Sequence, residues 1–386
     1  MKAMVLTLLG MTAAASALPG QDRGARTHFD GPSRVLVPAG GTSVPLEKQG
    51  QFYFADVRVG GRPFRFTVET GANHVAVSRA LAEELGLRIE TITTQYGTGT
   101  VVRLPALEIG STVFHGVVAR VTPGFGQEPE FHGLISIPLL RGVVAAFDFP
   151  KRELRLGGTL PAESATAIAY QPGQRVSMPI EVGGTRLAAV LDTRSPLGVT
   201  LPDSLLGEIR PVGDFGPTMR AGGPSLGDFT LRPAPVAELR VGGQSVRNPT
   251  VYFRNRPGVV LGMPILEQFV LTLDLANQRA ALVMPPGARL SPGAPSQAEP
   301  PAVYLGFGLV PQRDGGKVVT AVAPGSSAAI EGLRDGDQIV SVDGVLAEQV
   351  NPGVLRHAAA KGTSIKVVAR RDGKQLEFHI LPHTLR

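Results

Sequence analysis

The sequence predicts a mostly β protein with two matching β-rich lobes, followed by a small α+β domain. The chain has 48 glycines and 33 prolines in 386 residues without a collagen-like period, which indicates many turns between short strands. The same series of short sequence features occurs twice, about 125 to 130 residues apart, as expected of an internal repeat. Residues 290–301 are rich in Pro, Ser, Gly and Ala, as is typical of a linker, and a different pattern follows. The predicted segments are a signal peptide at 1–17, a flexible leader at 18–44, lobe 1 at 45–160, lobe 2 at 168–287, a linker at 288–301 and the last domain at 302–384.

The repeated plan starts with a hydrophobic strand that runs into an acidic residue and a threonine. The first copy reads Glu69-Thr70-Gly71 and the second reads Asp192-Thr193-Arg194. The copies close with matching apolar segments at 137–140 and 147–149, and at 263–266 and 273–275. Because several landmarks keep nearly the same offset, we interpret the region as a duplication.

Local signals predict hairpins and short helices inside each lobe. The segments 57–59 and 64–68 alternate in polarity around a Gly-Gly-Arg-Pro turn, and residues 181–187 repeat that hairpin. A short helix is expected to be capped by Ser78 and ended by Gly86.

The N-terminus predicts export. Lys2 precedes an apolar stretch at residues 3–11, and Ala15-Ser16-Ala17 is an A-x-A cleavage site. We expect a periplasmic or secreted protein with no membrane span after signal cleavage, because no later run is long and apolar enough.

Composition excludes several functions. The chain has no cysteine, which excludes thiol catalysis and disulfides, and its seven histidines show no metal-ligand spacing. The net charge of +6 is scattered without a basic block, so we expect no nucleic-acid partner.

A hydrophobic strand ending in an Asp-Thr-Gly-like turn, present in both halves, resembles the aspartic proteases over roughly residues 50–285. Two lobes in one chain resemble the pepsin arrangement, and the short lobes resemble duplicated bacterial retropepsin-like domains. The resemblance implies a bilobal body in which Glu69 and Asp192 share one proton and activate a water on a peptide or protein substrate, with no cofactor and no metal. It also implies that Thr70 and Thr193 brace the two loops, and that Tyr96 and Gly97 form the tip of a flap over the substrate.

Two departures leave alternatives open. Glu69 replaces an aspartate and gives its carboxylate about 1.5 Å of extra reach, and a misplacement of that order costs about a hundredfold in rate. Arg194 stands where the motif has glycine. If Arg194 points inward, it pairs with Asp192 or Glu69, depresses the pKa and removes the shared proton; if it points outward, the pair survives. The alternatives are an aspartic endopeptidase and a degenerate homologue that acts as a peptide-binding or adaptor protein. His74 either tunes Glu69 or lies in an exposed loop.

Residues 302–384 resemble a PDZ domain of the bacterial protease-associated kind, on the segment from Gly325-Ser326-Ser327-Ala328 to Gly344. The resemblance implies that protein C-termini add a strand beside residues 308–310. It also implies a binding loop and pocket formed by Leu305, Gly306, Phe307, Gly308, Leu309 and Leu355.

Overall fold

A computed structural model describes most of the chain. It covers residues 31–94, 97–122, 131–171, 173–221, 229–292, 303–311, 316–320, 322, 326–347, 350, 364–381 and 383–384. The predicted signal peptide lies outside the described residues. No helix in these ranges is long and apolar enough to cross a membrane.

Lobe 1 is an eleven-stranded sheet that curls around an apolar interior. The hairpin expected around Gly60 and Gly61 is present, because both glycines adopt the positive φ that this turn needs. The short helix α1, Arg79–Glu84, is capped by Ser78, whose Oγ accepts the Leu81 N–H at 3.2 Å, and Gly86 follows it with a φ of +61°. The strands are β1 (Arg34–Leu36), β3 (Glu47–Gln49), β4 (Phe52–Val59), β5 (Arg62–Glu69), β6 (Ala76–Ser78), β7 (Ile89–Thr94), β8 (Gly97–Arg103), β9 (Leu107–Ile109), β10 (Thr112–His115), β11 (Val118–Thr122) and β12 (Gly133–Ser136).

The end of the predicted flexible leader is built into the body, which corrects that expectation for its described part. Strand β1 pairs with β10, and β2, Thr42–Pro45, pairs with β14, Glu153–Leu156. Backbone pairing to two sheets orders this segment in spite of its Gly- and Pro-rich composition. The predicted linker at 288–301 likewise begins as part of the body, since Leu290 is buried in the core.

Lobe 2 is a nine-stranded sheet with the same central arrangement as lobe 1. In lobe 1, β12 runs parallel to β5 and antiparallel to β6; in lobe 2, β24 runs parallel to β17 and antiparallel to β18. The strands are β16 (Ser177–Val182), β17 (Thr185–Asp192), β18 (Val199–Pro202), β19 (Met219–Ala221), β20 (Phe229–Pro235), β21 (Glu238–Val241), β22 (Gln244–Arg247), β23 (Thr250–Arg254) and β24 (Val259–Gly262), and helix α2 is Met263–Leu266.

A third sheet of six strands joins the lobes. At its centre, β13 of the first copy pairs antiparallel with β25 of the second, with Ala145 opposite Leu273 and Phe147 opposite Leu271. Ala145 and Leu271 hold equivalent places in the two copies, as do Phe147 and Leu273, so the pairing is symmetric under a two-fold rotation. This sheet consists of β2, β13 (Ala145–Asp148), β14, β15 (Ala165–Ala167), β25 (Val270–Asp274) and β26 (Arg279–Val283).

The apolar core runs without interruption through both lobes and the joining sheet. Fully buried aromatic residues mark it, among them Phe66, Phe147, Phe253 and Phe269. Burial of this kind stabilises by about 25 cal/mol per Å² of apolar surface removed from water. The shared core makes the two copies one body.

The C-terminal domain has a separate core around Val319, Val342, Val367 and Ile380. Its short helix α3, Ser327–Ile330, is capped by Ser326, whose Oγ accepts the Ala329 N–H at 3.2 Å. Residues 351–363, which include the predicted pocket residue Leu355, lie outside the described residues. The strands are β27 (Val303–Tyr304), β28 (Gly308–Pro311), β29 (Lys317–Thr320), β30 (Gln338–Val342), β31 (Val345–Leu346), β32 (Ile365–Arg371), β33 (Lys374–Ile380) and β34 (His383–Thr384). Mostly β lobes followed by a small α+β domain is the predicted fold class.

Candidate active site

The two acidic residues end equivalent central strands. Glu69 is the last residue of β5 and Asp192 the last residue of β17. The parallel neighbour of each strand reaches the same level, with Ser136 beside Glu69 and Gly262 beside Asp192. Each acid therefore leaves a strand that is hydrogen-bonded within its sheet.

The threonines after the acids lock the two loops together by reciprocal hydrogen bonds. The backbone N–H of Thr70 donates to Thr193 Oγ1 at 3.1 Å, and the N–H of Thr193 donates to Thr70 Oγ1 at 3.1 Å. Each hydroxyl then donates across the lobe boundary, Thr70 to the Leu191 carbonyl at 2.9 Å and Thr193 to the Val68 carbonyl at 2.9 Å. Both threonines are buried. Thr70 and Thr193 therefore hydrogen-bond across the two loops in the way that the resemblance to aspartic proteases implied.

The carboxylate of Asp192 lies directly over the loop of lobe 1. A Cβ added at Gly71 would stand 2.6 Å from Asp192 Cγ, so only glycine allows this approach. On its own side, Asp192 Oδ1 accepts the Arg194 N–H at 3.0 Å. The two acidic loops thus face each other, with the Asp192 carboxylate against the backbone of Gly71.

Arg194 points inward. Its Nη1 donates to Glu69 Oε2 at 2.7 Å across the lobe boundary. The side chains are only 23% and 17% exposed. The guanidinium also lies over two rings, 5.8 Å from the centroid of Phe52 and 6.0 Å from that of Phe131, in a cation–π arrangement. Of the two orientations open from the sequence, the molecule adopts the one that pairs Arg194 with Glu69.

The direction of the Glu69 pKa differs from the depression expected of an inward arginine. Burial is the largest influence and raises the pKa of Glu69, and the negative charge of Asp192 raises it further. The guanidinium of Arg194 and the charge of Arg175 lower it, but the net direction is upward. The expected depression was wrong because the carboxyl is removed from water as well as paired.

His74 lies in the loop that follows Glu69 and is half-buried, so the exposed-loop interpretation was wrong. Burial lowers its pKa to about 4, and the positive charges of Arg120 and Arg175 act in the same direction. His74 is therefore neutral near pH 7. The charges that shift the pKa of Glu69 are those of Arg194, Asp192 and Arg175, not that of His74.

This shift predicts a pH-dependent loss of stability. The folded pKa of His74 lies below the unfolded value near 6.5, so the unfolded chain takes up the proton first as pH falls. Burial of the neutral His74 costs no stability above about pH 6.5. Between pH 6.5 and pH 4 the free energy of unfolding falls by about 2 kcal/mol, a figure reduced for the partial exposure of the side chain. Urea unfolding of wild type and His74→Gln at pH 7, 5.5 and 4.5 measures it, and a constant difference between the two proteins would contradict it.

The remaining predicted site residues are only partly placed. Gly97 starts β8, which pairs with β7 as the predicted flap hairpin requires, whereas Tyr96 lies outside the described residues. In the last domain Leu305, Phe307 and Leu309 are buried. Gly308 starts β28, and Leu355 lies outside the described residues.

Gly306 ties the predicted peptide-binding loop to helix α3. Its φ is +79°, and an added Cβ would stand 2.3 Å from Ser326 Cβ, so glycine is needed here for both conformation and space. Ser326 Oγ donates to the Gly306 carbonyl at 3.4 Å.

Phe52, Phe131 and Arg175 were not predicted as part of the site. The two rings belong to a small apolar cluster beside the acidic pair, and Arg175 approaches from the start of lobe 2. No motif marks them, because their relation to Glu69 arises from the packing of the two copies. In the part of the chain that the structure describes, no three His, Asp or Glu side chains are grouped to hold a metal ion.

Two family models match the chain. One, described as aspartyl protease, matches residues 55–139, which hold the Glu69 loop and the β7–β8 hairpin. The other, described as PDZ domain, matches residues 297–367. No curated protein matches the sequence.

Proposed function

Because the chain carries an aspartyl protease domain and a C-terminal PDZ domain, we propose that it is an exported peptide-binding protein whose acidic pair is held in a non-hydrolytic state by Arg194. The single observation that carries this proposal is the 2.7 Å contact between Arg194 Nη1 and Glu69 Oε2. Hydrolysis by an acidic pair needs one proton shared between two carboxyl groups.

A guanidinium cannot supply that proton. It stays charged at every pH at which proteins are folded and has donors only. While Arg194 occupies Oε2, that oxygen accepts a hydrogen bond from a permanent cation and is not free to share a proton with Asp192. In this arrangement the pair lacks the shared proton that polarises a scissile carbonyl.

The architecture that binds peptide is retained. The threonine brace keeps the two lobes facing each other, and the β7–β8 hairpin forms the edge of the lobe 1 sheet, at the place in the sequence where a flap is expected. The PDZ domain offers a second site, where a protein C-terminus adds a strand beside β28. We infer an adaptor that holds an extended segment in the cleft and a chain terminus in the PDZ groove.

A second candidate function, an aspartic endopeptidase active in acid, is favoured by the direction of the Glu69 pKa. Because burial raises that pKa, acidification protonates Glu69 before an exposed glutamate. A neutral Glu69 loses most of its attraction for Arg194 and can share its proton with Asp192. In that state the pair is the one that hydrolysis requires.

Hydrolysis of a mixed peptide library from pH 3 to pH 7 distinguishes the two candidates, with wild type compared with Asp192→Asn. We expect binding of extended peptides without cleavage across the range. Cleavage below about pH 5 that the substitution abolishes would establish the endopeptidase instead. Failure of the folded protein to bind any peptide would contradict both.

A further inference from the structure

We propose that the cleft selects a peptide segment carrying aspartate or glutamate side chains next to the Glu69–Asp192 pair. This inference rests on the proposed peptide-binding function and names the class of ligand. It is carried by arginines that three separate elements bring to the two acidic loops.

The segment 173–176 places Arg175 beside both loops. The Val176 carbonyl accepts the N–H of Leu191, the residue before Asp192, at 3.1 Å. The Gly173 carbonyl accepts Asn73 Nδ2, from the loop after Glu69, at 2.9 Å. Arg175 lies between these two anchors with an exposed side chain. Its charge reaches the site, because it lowers the pKa values of both Glu69 and His74.

Arg254 approaches from the end of β23. Its Nη2 donates to the Gly258 carbonyl at 3.0 Å, whereas its Nε is buried and has no partner among the described residues. Burial lowers the pKa of Arg254, and the charges of Arg256 and Arg175 lower it further, while the charge of Asp192 opposes them. The site therefore holds cations that repel one another.

Arg120 approaches from lobe 1 beneath the β7–β8 hairpin. It is in β11, and its Nε and Nη2 lie 3.9 Å from where a Cβ of Gly99 would stand. Gly99 is in β8, and the backbone N–H of Arg120 donates to the carbonyl of Val75, the residue after His74, at 2.8 Å. The charge of Arg120 acts on His74, which places it on the same side of the lobe as the Glu69 loop.

The balance of charge at the site is positive. Among the described residues, three arginines act on the two carboxylates: Arg194 and Arg175 lower the pKa of Glu69, and Arg254 interacts with the charge of Asp192. His74 is neutral near pH 7 and adds no charge. Anionic side chains on a bound peptide relieve this repulsion and accept from the guanidinium groups, which favour carboxylates as bidentate partners.

Fluorescence anisotropy with three amidated peptides of equal length tests the inference on the full chain. The peptides carry two central glutamates, two glutamines or two lysines, and the C-terminal amide withholds the carboxylate that a PDZ groove recognises. We expect the glutamate peptide to bind about tenfold more tightly than the glutamine peptide at 50 mM salt, with the advantage shrinking at 500 mM. The lysine peptide should bind most weakly.

Arg175→Gln and Arg254→Gln should each lower affinity for the glutamate peptide by about fivefold and leave the glutamine peptide unchanged. Arg279→Gln is the matched control, because Arg279 is exposed on β26 and belongs to none of these charge contacts. Equal binding of all three peptides would overturn the acidic preference but leave the peptide-binding function standing. Absence of binding by all three would overturn both.

Discussion

Arg194→Gly is expected to give peptide-bond hydrolysis that wild type lacks near pH 5. The substitution removes the guanidinium 2.7 Å from Glu69 and restores the Asp-Thr-Gly turn in lobe 2. Glu69, with its pKa raised by burial, can then hold the proton that Asp192 shares. Adding Glu69→Asp to Arg194→Gly should raise the rate of hydrolysis by about another hundredfold. The shorter side chain withdraws the carboxylate by about 1.5 Å, to the position that an aspartate has in an Asp-Thr-Gly turn. Release of fluorescent fragments from a quenched peptide measures both effects.

The matched control for this gain is Arg194→Lys, which keeps the positive charge beside Glu69 and should remain inactive. A second control adds Asp192→Asn to Arg194→Gly and should abolish the new activity. If Arg194→Gly and its combination with Glu69→Asp both fold, bind peptide and still cleave nothing at any pH between 3 and 7, then Arg194 is not what holds the acidic pair inactive.

Thr193→Val is expected to destabilise the body by about 2 to 4 kcal/mol. The hydroxyl of Thr193 donates to the Val68 carbonyl and accepts the Thr70 N–H, and valine leaves both backbone groups without these partners in a buried site. The side chains have nearly the same shape, so lost hydrogen bonds rather than lost volume set the cost. The urea midpoint of the body, followed by far-UV circular dichroism, measures it.

Thr250→Val supplies the comparison, because Thr250 is an exposed threonine in the same lobe on β23. That control should shift the midpoint by an amount equivalent to less than about 0.5 kcal/mol. Equal shifts for the two variants would show that the hydrogen bonds of the threonine brace add no stability beyond the effect of the substitution on strand propensity.

The repeated landmarks in the sequence were sufficient to predict two lobes, and the resemblance to aspartic proteases that they carry implied the brace of Thr70 with Thr193 and the approach of Glu69 to Asp192. Such landmarks are local: a strand ending in acid-threonine, a glycine-rich turn and an apolar run each show themselves in a few consecutive residues. The sheet that joins the lobes left no comparable signal. Strands β13 and β25 are ordinary apolar strands, and only their antiparallel pairing shows that one core serves both copies. The boundaries drawn in Gly- and Pro-rich stretches were also unreliable, since β1 and β2 are ordered by partners distant in sequence.

The sequence by itself determined which groups are available at the centre of this protein: two carboxyls, two threonines and an arginine in a glycine's place. Only the tertiary structure decided that the arginine turns toward Glu69, because Phe52, Phe131 and the opposing carboxylate come from the other lobe. The same holds for the environment of the carboxyl. Charge can be counted in a sequence, but burial and the approach of Arg175 depend on how the copies pack, and these shift the pKa of Glu69.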